Sequence, residues 1–291
     1  MATKKGNQEE IPNCTPNTAS VWFYYSEDNH QNHSSFPWRR RKDGDDDDDS
    51  SIVEVSNAAI QKTWNWCTKF VVPLNLCPWA ASSVTTSGAV QIYVIPSNYT
   101  KSPDQLESLV ENVAQHFVQS TSDMAQDMTK VAIAFLVLET YTCSEDGSNL
   151  QNWYDSFPEF YNWFINLEDS WIDQGSYIDM EGEEEEEENW EDSYTSSIYC
   201  DLVTLAAFHP EWEFGSNDET DESIQALNFE KTSPYPTISM VWTSAIDAAG
   251  PEATERIGVH NQRLLQEEMT LSQLTKLYQQ DVLNNDSAGD C

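Results

Sequence analysis

Asp201-Leu-Val-Thr-Leu-Ala-Ala-Phe-His-Pro-Glu-Trp-Glu-Phe214 alternates and then stops, and its reading decides the fold. In extended backbone Val203, Leu205, Ala207 and His209 share one face, while Leu202, Thr204, Ala206 and Phe208 share the other. Pro210 removes a ladder donor, so the strand ends at His209. Strand ends carry binding and catalytic groups more often than strand centres do.

Working outward, Val131–Glu139 (VAIAFLVLE) is almost wholly apolar, as expected of a central strand covered on both faces. Ala89–Pro96 and Thr237–Trp242 read as two more strands. Ile52, Val55, Ala59, Ile60, Trp64, Cys67 and Val71 recur at helical spacing until Pro73. Ser102-Pro103-Asp104-Gln105 and Thr270-Leu271-Ser272-Gln273 are capping-box helix starts. Asn149–Asp173 is an aromatic-rich helical stretch that Pro158 kinks or restarts. These elements predict an α+β domain, α/β-like in its crossovers, with a mixed sheet of about four strands packed by helices.

The expected organisation is a disordered charged N-terminal tail over residues 1–50, a globular domain over 51–284 and a C-terminal tail over 285–291. An acidic disordered insertion is expected at about 174–197, where Glu183–Glu188 places six like charges in a row. Within the tail, Trp22, Phe23, Tyr24 and Tyr25 form an aromatic run suited to docking on the domain.

Fifty acidic residues stand against 14 basic ones, a formal charge of −36. Binding to phosphate backbones needs clustered Lys and Arg, so no nucleic-acid partner is expected. No apolar run reaches the ~18 residues of a membrane span, and no membrane partner is expected either. The N-terminus lacks an apolar signal core, and the six cysteines show neither a CxxC pair nor zinc-ligand spacing. The expected compartment is the cytoplasm, with the nucleus as second option because Arg39-Arg40-Arg41-Lys42 precedes the acidic block Asp43–Asp49. That block and the Glu-rich insertion are expected to meet basic proteins.

Three motifs stand out: Leu74-Asn-Leu-Cys-Pro-Trp-Ala80, Phe208-His-Pro-Glu-Trp-Glu-Phe214 and Ser233-Pro-Tyr-Pro-Thr-Ile238. In this order, after a helix containing Trp64, they resemble the family catalogued as domain of unknown function 1415, over about residues 55–280. The resemblance carries over no established activity and leaves any cofactor unknown. It does imply Phe where Trp79 stands and Arg where Thr232 stands, with Lys231 adjacent as a substitute for that Arg. Val259 and Asn261 correspond to its C-terminal Ile/Val and Asn positions.

Two function classes follow. In the first, Cys77 and His209 meet as nucleophile and base of an enzyme acting on a small molecule. In the second, the same motifs form a non-catalytic small-molecule or protein-binding pocket. Trp79, Trp212, Phe214 and Tyr235 would line it, with Asn75, Ser233, Glu211 and Asn261 among its polar groups. A weaker alternative is a metal held by Cys77 and His209, with Glu211, Glu213 or His260 completing the set. Against each stands simple packing: buried Cys is commonly inert, and a His before Pro commonly terminates a strand through hydrogen bonds.

Overall fold

The computed structural model describes residues 19–24, 38–40, 50–96, 102–125, 130–140, 152–176, 197–215 and 221–284. A single six-stranded mixed sheet carries them. Its strands are β1 (Ser20–Tyr24), β2 (Trp38–Arg40), β3 (Val90–Ile95), β4 (Ile133–Leu138), β5 (Val203–Phe208) and β6 (Thr237–Trp242), in the order β2-β1-β3-β4-β6-β5. The α+β class with a mixed sheet is as expected, but the count is six rather than about four. The added pair comes from the N-terminal segment expected to be disordered, where Ser20–Tyr24 lies parallel to β3 and pairs antiparallel with Trp38–Arg40. The acidic tracts Asp43–Asp49 and Glu181–Asp192 lie outside the described residues, as does the tail 285–291.

β4 is central, and all six of its residues are buried. It runs parallel to β3, with Val90 opposite Ile133 and Ile95 opposite Leu138, and antiparallel to β6. The β3 to β4 connection passes through α3 (Pro103–Ala125), the crossover that parallel neighbours require. β6 lies between β4 and β5, which leaves β5 at the edge and antiparallel to β6.

Period-two alternation divides the core into two layers. Tyr93, Leu136, Leu138, Val203, Leu205 and Ala207 face α3 and α4 (Phe157–Ser176). Ile92, Val94, Ile133, Phe135 and Val137 face a second layer, beginning with α1 (Ser50–Asn65), which widens into a π-helical turn at Trp66–Val71. Pro158 lies in the first turn of α4, so it starts that helix rather than kinking it. Asn152 and Asp155 form a reciprocal capping box on the short turn just before.

The LNLCPWA segment lies in the second layer, between the π-helical turn and α2 (Ala80–Thr85). It is anchored from α2 by Ser83, wholly buried, whose Oγ lies 2.6 Å from the Val131 carbonyl and 2.9 Å from that of Trp79. Ser83→Ala removes the only side-chain donor described for the Val131 carbonyl and is expected to cost about 1–2 kcal/mol, read as a urea midpoint shift.

Candidate functional site

His209 follows β5 on the face anticipated from the alternation, and there it is 1% exposed. Its Nε2–H donates to the Tyr154 carbonyl at 3.1 Å, and its Nδ1 accepts the Glu211 backbone N–H at 3.0 Å. Those two bonds define one neutral tautomer and use both ring nitrogens. Phe157 and Phe160 of α4 pack on the ring at 5.6 and 5.5 Å between centroids. Burial pushes its pKa down to about 4, with the Tyr154 carbonyl acting weakly the other way. This histidine ties the end of β5 to the turn before α4.

Cys77 lies in the other layer. It is partly buried, packs like Leu74 and Trp79 against the second-layer core, and lines a cavity of ≈ 200 Å³ whose lining does not include His209. The structure therefore corrects the expected Cys77–His209 pair. The two residues flank the sheet on opposite faces, and no nitrogen of His209 is left to take a thiol proton. The metal set built on the same two residues loses its histidine for the same reason. Among the described residues no group of three or more His, Cys, Asp and Glu side chains is placed to hold a metal ion. Burial also raises the Cys77 pKa, despite backbone N–H groups of Trp79 and Ala80 at the sulfur and the nearby Lys231 charge. Cys77 is a thiol rather than a thiolate at neutral pH.

The other residues singled out in the sequence divide between the two layers. Trp79 lines the cavity. Trp212 and Phe214 sit with α4, Trp212 lying 5.0 Å from Phe157 and 5.4 Å from Tyr161 between ring centroids. Glu211 and Glu213 are exposed. Asn75 is an exposed turn residue with φ 53°, a left-handed conformation that Asn tolerates better than most side chains. Ser233 is buried and donates to the Tyr235 carbonyl at 2.6 Å, bracing the double-proline turn rather than facing the cavity. Tyr235 packs in the second layer outside the cavity lining. His260 lies with its Nε2 3.4 Å from the Leu74 carbonyl.

The cavity has an aromatic wall and a small polar group. Trp66 packs edge-on against Phe135 at 5.7 Å and Phe208 at 5.1 Å. Its polar lining is Cys77, Glu230, Lys231 and Asn261, with the hydroxyl residues Thr204 and Ser239 on the sheet side. Lys231 is set in place by its own backbone, since its carbonyl accepts the His209 N–H at 3.1 Å and its N–H donates to Asn228. Its Nζ lies 4.9 Å from the Phe208 ring centroid and 6.0 Å from that of Trp212. Among the described residues that Nζ has no hydrogen-bond partner and no ion pair. Burial pulls its pKa below the usual lysine value, although Glu230, Glu168 and Cys77 each act to raise it.

Asn261, on α8 (Pro251–Arg263), which follows α5 (Ser197–Leu202), α6 (Glu222–Asn228) and α7 (Thr243–Ala249) along the chain, is 1% exposed and joins the parts. Its Nδ2 donates to the Leu76 carbonyl at 3.2 Å and to Glu230 Oε1 at 3.0 Å. One side chain thus holds the LNLCPWA turn and the Glu230–Lys231 turn in register. Lys231, Glu230 and the Trp66–Cys67 wall were not among the sequence candidates for the cavity. The Lys231 signal was present only as a cation beside the Arg position of the resembled pattern.

An α+β domain with an aromatic cavity on one face of its sheet is thus the class that fold and site define. Residues 184–275 match the family model described as "Protein of unknown function (DUF1415)", the family anticipated from the motifs. The match includes FHPEWEF, SPYPTI, Lys231 and Asn261; LNLCPWA lies outside it and meets it through the Asn261–Leu76 bond. No curated protein and no solved structure matches the chain.

Proposed function

We propose that this protein binds a small molecule in the cavity between the LNLCPWA turn, the end of β5 and α8. The supporting observation is the combination of a mostly apolar, aromatic-walled space with a few convergent polar groups, Lys231, Glu230, Cys77 and Asn261. That composition is the usual one for a ligand site. A dry cavity of ~150 Å³ accepts benzene, so ≈ 200 Å³ has room for one substituted ring or a branched chain of similar size.

Binding is favoured over cysteine catalysis because burial raises the Cys77 pKa and, among the described residues, no histidine is hydrogen-bonded to its thiol. Association of the acidic tracts with basic proteins, and residence in the cytoplasm, complete the proposal. The net charge of −36 supports the first. Among the described residues no helix is long and apolar enough to cross a membrane.

The test uses benzyl alcohol as probe and Ala206→Phe as the cavity-filling variant, because half-buried Ala206 lines the space from the β5 edge. At 100 times its Kd a ligand adds about 2.7 kcal/mol to the unfolding free energy. The wild-type chain is expected to show a saturable rise in Tm with benzyl alcohol, and Ala206→Phe to show none. Equal shifts in both proteins would place binding elsewhere.

A further inference from the structure

Resting on that ligand-pocket reading, we propose that the Lys231 amine captures small neutral aldehydes with an aromatic or branched apolar body, holding them as an imine. The amine lies in the cavity lining, 4.9 Å from the Phe208 ring, with no hydrogen-bonding or ionic partner among the described residues. Lys231 is half-buried, so its amine combines a mostly apolar lining with access from outside. Here the surrounding groups are two aromatic rings, the Cys77 thiol and the charges of Glu230 and Glu168, neither of them within ion-pair distance. The carboxylates favour the ammonium form, yet burial outweighs them and shifts the balance toward the free amine. An amine whose pKa is lowered by partial burial in a mostly apolar pocket is a better nucleophile toward carbonyl carbon near neutral pH.

Charge chooses between the two ligand classes that a lysine suits. A carboxylate would approach a molecule with a net charge of −36 and enter beside Glu230. That field repels anions and leaves a neutral carbonyl compound unaffected. The aromatic wall of Trp66 and Phe208 takes the body of the ligand and leaves its carbonyl toward Lys231. In the reaction the Nζ lone pair forms a C–N bond to the aldehyde carbon. The carbonyl oxygen then departs as water, taking both amine protons, and the C=N bond replaces C=O. No oxidant or reductant is consumed.

The experiment treats the full chain with benzaldehyde and sodium cyanoborohydride near pH 7.5 and locates the reduced benzyl adduct by peptide mass mapping. The expected result is one adduct at Lys231, formed at least ten times faster than at the exposed Lys69, Lys130 and Lys276. Ala206→Phe should slow it about tenfold without changing the exposed sites, and Lys231→Arg should abolish it. Excess benzyl alcohol should protect Lys231 alone. Adducts spread evenly over the lysines would overturn the proposal. Saturable benzyl alcohol binding without a Lys231 adduct would overturn the imine and leave the pocket standing. Absence of both would remove the pocket reading as well. Benzoate binding more tightly than benzyl alcohol, again without adduct, would replace the aldehyde by an anion.

Discussion

Phe135→Ala is expected to lower the stability of the protein by about 3–5 kcal/mol, the range for truncating a buried aromatic residue. Phe135 is 5% exposed at the centre of β4, the strand with neighbours on both sides and helices on both faces. It also meets Trp66 edge-to-face at 5.7 Å, and such ring pairs add about 0.5–1.5 kcal/mol beyond burial. The void left behind would open into the adjoining cavity, which Phe135 also lines, so collapse cannot recover the lost contacts. Urea denaturation should show a lower midpoint at nearly unchanged slope. Glu255→Ala, at an exposed position of α8 away from the cavity, should stay within about 0.5 kcal/mol of wild type and serves as control.

The second large effect depends on pH and belongs to His209. Its folded pKa is about 4, below the ordinary value of 6.5. Between these values the unfolded chain binds the extra proton, so stability falls as pH falls from about 6.5 toward 4 and levels off below. A difference of some 2.5 units corresponds to about 3 kcal/mol across the window. Carboxylates titrate over the lower part of the same range, Asp155 among them with a pKa raised chiefly by burial. The His209 share is therefore read as the difference between wild type and His209→Gln. The variant is expected to be less stable at pH 7, because Tyr154 and Glu211 lose a well-aligned partner, and to lose less on acidification. Equal pH slopes in the two proteins would show that His209 does not titrate in this window. In a separate measurement the variant should leave the Cys77 alkylation rate unchanged, because the two residues occupy different layers.

Both effects show how far the residues speak for themselves. The apolar run VAIAFLVLE identifies the central strand, since a segment covered on both faces cannot alternate. Likewise the alternation in DLVTLAAF assigns His209 to the layer of Val203, Leu205 and Ala207, where it is found. Helix starts at Ser102 and Thr270 were legible from their capping boxes, and both show the reciprocal bonds. The N-terminal strands were legible only as an aromatic run suited to docking, and Trp22 does pack on Tyr93 and His116. β1 is only five residues long in a polar segment, and its pairing with β3 and β2 together with burial of Val21 and packing of Trp22 holds it.

The candidate site divides along the same line. Local spacing determined which residues are proline-braced, which face a strand residue takes and where strands end, because these follow from backbone geometry over a few residues. Only the tertiary structure decided which of those ends meet. The sheet order puts β6 between β4 and β5, so the edge strand's Phe208 faces Cys77 and Trp66 while His209 faces α4. One residue of register separates Phe208 from His209, and that single step carries them to opposite faces. The cavity polar group, Lys231 with Glu230 held by Asn261, joins residues about thirty apart through a side-chain bond. Neighbourhood along the chain carries no trace of that contact, since it arises only when α8 packs back against both turns.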